Sequence, residues 1–454
     1  MTQNKFIRTI QICLIDGLFA YLLPKSFTKI NHCFELYGLM QCNNDIRRIM
    51  TKKFIQLVEF PLSTITFWNE KKRNMVQRIL IDRDQMITNV VFPVNLKELT
   101  FYWHYNMIIS DSVFPKKLNK ITFGHYYNKS LLPKILPDSI TQLTFGKCFD
   151  QVLETNVLPS NLNEIVFGDN FNQSLKEGVL PKNLNTLIFG KNFDQNLYVG
   201  TLPKSLTVLI FGRCFNQNLN KGILPENIKI LSLDRFNQNL EKDVLPKHLL
   251  KVKLGWEFNQ VLLPEVLPGH LTRIDFGWRF DQFLPVGVFP ESLVYLSFGY
   301  GYNHVIRKNV LPSNLMYLKF DSSFDQPFEK KVLPDKLLYL KFGWSFNHPI
   351  NEGILPSNLM YLEFGNDFKQ KIEENVLPEN LKRLVLSADY ENSLNENVLP
   401  KNLTQLIFGG TIAYEKNNNE TNENTFKIKC KKYNGGICDD CINCVKCFHC
   451  SYDL

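Results

Sequence analysis

The sequence predicts an α/β solenoid: a parallel sheet of about fifteen short strands, wound from 22-residue coils and preceded by a small N-terminal helical domain. Three observations lead there. From Pro93 to Pro225 a proline recurs every 22 residues, Pro246 follows after 21, and the spacing of 22 resumes from Pro268 to Pro400, so that fifteen of the 22 prolines are in phase. Within each unit, counted from its proline as zero, Leu or Ile recurs at +3 and +6, Phe stands at +8 in twelve units, Gly at +9 in eleven, and Phe or Tyr at +12 in nearly all. The chain is 44% apolar and 21% charged over 454 residues, with no apolar run of membrane-spanning length, so there is enough apolar material for a long shared core.

Each part of the unit has a physical reason. The only stretch with a period of two is +5 to +8, which makes it the strand, with +6 and +8 pointing inward and +5 and +7 outward. Gly at +9 is expected to permit the turn out of the strand. Proline lacks an N–H, so it belongs on the return side rather than in the ladder. The short interval before Pro246 comes from one residue missing between Asp234 and Phe236, in the turn and not the strand. The amide or carboxylate at +13 and the Gln at +14, such as Asn172 and Gln173, Asp194 and Gln195, or Asn216 and Gln217, recur in most coils as scaffolding that satisfies backbone groups of adjacent coils.

A period in the twenties with Leu-x-x-Leu-x-Phe is the pattern of leucine-rich solenoids. The units resemble FNIP repeats, a 22-residue variety of leucine-rich repeat. The resemblance covers about Phe92 to Phe408, with a decayed unit around Leu62 to Phe67, and is fullest at Phe346, Asn347, His348 and Pro349. The domain expectation is therefore a helical segment at 1–58, repeats at 59–414, and a polar linker with a Cys-rich tail at 415–454.

Residues 1–58 lie outside the period and read as helical, with Leu14, Leu18, Leu22, Phe27, Ile30, Cys33 and Phe34 at three- and four-residue intervals around Pro24. The stretch from Leu18 to Ile49 resembles the F-box, a helical module that docks onto the adaptor subunit of cullin-type ubiquitin ligases. That resemblance implies adaptor contacts at Leu18, Leu22, Pro24, Phe27 and Ile30. At its front the family usually has Leu-Pro, whereas this chain has Ile10-Gln11. The alternative is a plain helical cap over the first apolar coil, which repeat arrays need in any case. An F-box ahead of FNIP repeats is a known family arrangement and implies a substrate receptor, with ubiquitin transfer left to other subunits.

After Tyr414 the composition turns polar, in EKNNNETNENT, and then rich in cysteine. Cys438, Cys441, Cys444, Cys447 and Cys450 are candidate metal ligands by their spacing. On a regular helix they would drift ~60° per step, so one ion could not collect them all. A zinc knuckle, an unstructured Cys-rich tail and reversible acylation stay open, and no other cofactor is expected. An odd total of 11 cysteines, most of the rest scattered among apolar neighbours, is not a disulfide framework and suits a reducing compartment, cytoplasmic or nuclear.

Net charge is +8, of which residues 1–58 supply eight basic against three acidic side chains, while the long middle is almost neutral; this argues against a nucleic-acid groove. The candidate partner surface lies elsewhere. Outward position +5 reads Arg273, Tyr295, Tyr317, Tyr339, Tyr361 and Arg383 in successive units, and +10 carries Trp256, Trp278, Tyr300 and Trp344. Tyr, Trp and Arg dominate protein interfaces, so these residues are the expected contacts for a target protein; the competing reading is a ladder that only braces the sheet. No nucleophile–base pair, phosphate loop or paired carboxylate stands apart from the repeat, and no enzymatic activity is expected.

Overall fold

The computed structural model describes residues 59–415, except 67, 83–86, 88–89, 111–112, 393 and 395–396. The helical segment and the Cys-rich tail fall outside the described residues. What is described divides into two compact units, the first ending at Phe171 and the second beginning at Asn172.

The first unit opens with β1 (Glu59–Pro61), followed by the one-turn helices α1 (Leu62–Ile65) and α2 (Glu70–Arg73), the latter capped by the Asn69 side chain accepting from the Lys72 N–H at 2.9 Å. Five strands follow: β2 (Arg78–Ile81), β3 (Glu98–Phe101), β4 (Lys120–Thr122), β5 (Gln142–Thr144) and β6 (Glu164–Val166). Each of β1 to β5 pairs in parallel with the next. The decayed unit expected around Leu62 is therefore not a repeat strand, because Leu62 to Ile65 coil into α1. The coil that does precede Pro93 supplies β2 and was hidden by its lack of an in-phase proline.

The second unit holds β7 (Thr186–Ile188), β8 (Val208–Phe211), β9 (Ile230–Leu233), β10 (Lys251–Leu254), β11 (Arg273–Phe276), β12 (Tyr295–Ser297), β13 (Tyr317–Lys319), β14 (Tyr339–Lys341), β15 (Tyr361–Glu363), β16 (Arg383–Leu386), β17 (Gln405–Phe408) and β18 (Thr411–Glu415). From β7 to β17 every neighbour pair is parallel, and equivalent residues face one another, as in Leu296↔Leu318 and Leu318↔Leu340. The last strand departs from the expectation of an all-parallel array: β18 folds back antiparallel on β17. Gly409 and Gly410, at φ 52° and 83°, make the two-residue turn, whose left-handed backbone matches the twist of a hairpin.

The core follows the repeat. Leu315, Leu318 and Phe320 at +3, +6 and +8, and Phe346 at +12, are fully buried. The two aromatic positions stack within a coil, Phe342 on Phe346 at 3.9 Å, and between coils, Phe298 on Phe320 at 5.3 Å and Phe324 on Phe346 at 6.2 Å. Each proline stands in the turn before its strand, its carbonyl accepting from the +3 N–H, as Pro312 does from Leu315 at 3.2 Å. The short interval before Pro246 costs no register: β9 pairs in phase with β10, and Phe236 stays buried between Phe215 and Phe258, at 6.4 Å from each.

Gly at +9 is needed for a different reason from the one expected. Except at Gly409, where the closing hairpin turns, its φ is not left-handed; instead a Cβ on Gly277 would lie 1.8 Å from the Gly255 carbonyl oxygen, so it is the close approach of successive coils that excludes a side chain.

The +13 and +14 side chains form the inter-coil scaffold that the sequence suggests. The Asn259 Oδ1 accepts the backbone N–H of Asp281 at 2.9 Å and also the Gln282 amide at 2.9 Å; Asp281 then accepts the N–H of Asn303 at 3.0 Å, and Asn303 that of Asp325 at 2.9 Å.

Core tyrosines of the +12 column, Tyr127 and Tyr302 among them, break the polar accounting. Tyr302 occupies a +12 site where most coils have Phe; its hydroxyl is buried without a hydrogen-bond partner among the described residues, and burial raises its pKa. An unsatisfied buried hydroxyl costs ~1–3 kcal/mol. Tyr302→Phe is therefore expected to stabilise the fold by about 1 kcal/mol, read as a higher denaturant midpoint with an unchanged slope. A lower midpoint would show that the hydroxyl is satisfied.

Candidate target-binding face

The parallel register of β11 to β16 lines up the six outward residues singled out in the sequence: Arg273 faces Tyr295, Tyr295 faces Tyr317, then Tyr339, Tyr361 and Arg383 in turn. The tyrosine rings touch in sequence, with centroids 6.2 Å, 6.0 Å and 4.2 Å apart. Arginine closes both ends, the Arg273 guanidinium 4.1 Å from the Tyr295 ring centre and that of Arg383 5.6 Å from Tyr361, each a cation–π contact.

The four tyrosines are half-buried rather than fully exposed, because each ring lies against its neighbours on the sheet. Burial pushes the phenol pKa up at Tyr295, Tyr339 and Tyr361, with the Asp275 carboxylate adding at Tyr295 and Glu363 at the other two. These phenols therefore stay neutral, and can donate hydrogen bonds, well above physiological pH. Charged neighbours at +7 hold the ladder in place. Arg273 pairs with Asp275 at 2.7 Å, Lys341 with Glu363 at 2.6 Å, and the Tyr361 hydroxyl donates to Glu363.

A row that the sequence reasoning missed lies beside the ladder. Position +4 carries Val294, Met316, Leu338 and Met360, all half-buried or exposed, with Met360 44% accessible. It joins the same face because the +4 and +5 N–H groups share one acceptor: Met316 and Tyr317 both donate to the Val294 carbonyl, at 2.9 and 3.0 Å. Its signal in the sequence is Met-Tyr-Leu in two units, at a position that precedes the alternating stretch. Tyrosine and aliphatic side chains together thus make one continuous apolar strip across β12 to β15.

The tryptophans form a separate group. Trp256, Trp278 and Tyr300, past the ends of β10 to β12, are 51%, 46% and 40% exposed and stack at 5.4 Å and 4.2 Å. Trp344 is 57% exposed and stands outside that stack, since Ser322 occupies the intervening coil. In the first unit, Trp103 stacks on His125 at 4.0 Å and His104 on Tyr126 at 5.1 Å. The outward strand positions there carry no aromatic residue and are mostly polar, with Thr122 and Thr144 at +7; the aromatics sit at +10 and +11, beyond the strand.

The expected adaptor contacts, Leu18, Leu22, Pro24, Phe27 and Ile30, and the cysteines 438, 441, 444, 447 and 450 fall outside the described residues. Among the described residues no group of three or more His, Cys, Asp or Glu is placed to hold a metal, and Cys148 and Cys214 are free thiols. No helix among the described residues is long and apolar enough to cross a membrane.

Parallel coils of this kind, one short strand each and almost no helix, define a leucine-rich-repeat-type solenoid. The chain is 40% identical to CroV588, described as a novel circular leucine-rich-repeat protein, over 74% of this chain and 53% of that one, with a TM-score of 0.67. The chain thus spans about half the length of that relative. A chain of the Toll–Spatzle complex of Drosophila shares the fold at 16% identity, covering 79% of this chain and 56% of that one with a TM-score of 0.57. The FNIP Repeat model matches residues 84–126, 127–170, 171–214, 215–256, 258–301, 302–345, 346–379 and 368–411, and the chain belongs to the FNIP repeat family. No curated protein matches it.

Proposed function

We propose that this protein is a non-catalytic interaction module that holds a target protein on the tyrosine ladder of β12 to β15, and that it serves as the substrate receptor of a cullin-type ubiquitin ligase. The observation that carries the target-binding reading is the strip itself: four stacked tyrosines capped by Arg273 and Arg383 and widened by Val294, Met316, Leu338 and Met360. Apolar and aromatic side chains gathered on one outer face, beyond what the repeat itself needs, are characteristic of a surface that a partner covers. The ligase reading is supported by the F-box-like stretch from Leu18 to Ile49 and by its position ahead of FNIP repeats. A second reading, a scaffold with no ubiquitin link, is favoured by Ile10-Gln11 standing where that family has Leu-Pro.

Affinity capture separates them. The whole chain is expected to retain both a cullin adaptor and a target, whereas a chain lacking residues 1–58, or carrying Leu22→Ala with Phe27→Ala, is expected to lose the adaptor and keep the target. Adaptor capture that survives removal of residues 1–58 excludes the F-box assignment and leaves the scaffold.

A further inference from the structure

We infer that the occupant of the tyrosine strip is an acidic amphipathic α-helix of the partner protein, lying across the strands along the ladder. This rests on the ladder being the target surface, and it adds the partner's shape and charge.

Shape comes from the repeat distance. Across four tyrosines the ring-to-ring steps of 6.2, 6.0 and 4.2 Å amount to roughly 16 Å, while three strand spacings amount to ~14 Å. Three turns of an α-helix advance ~16 Å, so side chains one turn apart meet successive rungs with a drift of at most ~2 Å. An extended peptide presents one face every second residue and advances ~20 Å over three such steps, so it would slip out of phase by ~4–6 Å. The strip is also bordered on both long sides, by the +4 aliphatic row and the +7 polar row, as a single helical face requires.

Charge comes from the rim. At positions +4, +5 and +7 between Thr272 and Val385 the basic residues are Arg273, Lys319, Lys341, Lys382 and Arg383, five against the two acidic residues Asp275 and Glu363. Both carboxylates are already paired, with Arg273 and Lys341. Lys319, Lys382 and Arg383 make no ion pair among the described residues, which leaves cationic groups on the border of an apolar strip. A partner with apolar side chains on one face and Glu or Asp on its flanks would satisfy both.

The test uses the full-length chain and three fluorescent synthetic peptides of equal length, read by anisotropy. The first is a stapled helix with Leu at i, i+4, i+7 and i+11 and Glu elsewhere; the second has Lys for Glu; the third keeps the acidic composition but carries two central prolines. The first is expected to bind at least ~10-fold more tightly than the other two, to weaken as salt is raised, and to lose at least ~10-fold in affinity with Tyr317→Ala and Tyr339→Ala together. Arg383→Glu with Lys382→Glu should weaken the first peptide and strengthen the second. Equal binding of the three peptides, preference for the basic or the proline-broken one, or binding by none overturns the inference. Parallel capture of the target from cell extract distinguishes the two levels. If the tyrosine variant no longer captures the target although the acidic helix does not bind, the ladder stands and only this occupant is rejected; if that variant captures the target as well as the parent chain does, the ladder reading itself fails.

Discussion

Phe320→Asp is expected to abolish cooperative folding of the coils around β13, with a loss well above ~5 kcal/mol. Phe320 is fully buried, 3.9 Å from Phe324 in its own coil and 5.3 and 6.2 Å from Phe298 and Phe342 in the coils on either side. Removing a buried phenylalanine ring alone costs ~3–5 kcal/mol, and an unpaired carboxylate in the same place adds several more, because Phe298, Phe324 and Phe342 around it offer neither a hydrogen bond nor a countercharge. The neighbouring coils share that column, so their stacking is lost with it. Lys319→Asp, one residue away but outward, is the control and should change stability by less than ~1 kcal/mol. Chemical unfolding followed by circular dichroism measures both. Similar losses from the two changes would mean that the assignment of inward and outward positions is wrong.

Tyr317→Ala combined with Tyr339→Ala is expected to cost more than ~2 kcal/mol of target binding, about 30-fold in Kd, as central aromatic contacts do. The two residues occupy the middle of the strip, where a covering partner excludes water most completely. Because their rings are half-buried against Tyr295 and Tyr361, some stability is lost as well, at ~0.2–1 kcal/mol for each cross-strand pair broken. Binding should fall by more than stability does. Thr122→Ala with Thr144→Ala, equivalent outward changes in the first unit, should leave binding almost unchanged. Equal losses from both pairs would show that the ladder is a brace for the sheet and that the partner binds elsewhere.

Much of the solenoid was legible because a 22-residue period states the same inference fifteen times. A Leu at +6 in one unit is weak evidence for a strand, but Leu296, Leu318, Leu340 and Leu362 in phase leave little else to conclude. What escaped was whatever does not repeat or does not alternate. The coil of β2 lacks its proline; β18 reverses direction once, at the end; and Met316 and Met360 reach the outer face through a shared carbonyl that no period-two rule anticipates. The left-handed turns at Lys134, Glu265 and Lys331, with φ of 66–69°, were equally silent, because Lys and Glu carry no signal for that conformation. The candidate site was legible to the extent that it depended on register. Its half-burial, the cation–π contacts of its flanking arginines and its separation from the Trp256 stack depend on side-chain directions, which spacing does not specify.

The amide ladder at +13 gives the array a direction. The Asn259 side chain waits for the backbone N–H of Asp281, and Asp281 for that of Asn303, so from Asn259 to Lys369 each coil is held by the one before it, and Lys369, which cannot accept, ends the series. A coil emerging from the ribosome therefore meets acceptors already in place on its upstream side, and the chain can wind up one turn at a time at the pace of synthesis, each new coil in turn supplying the acceptor for the +8 N–H of the one before, as the Lys319 carbonyl does for Phe298 at 2.8 Å.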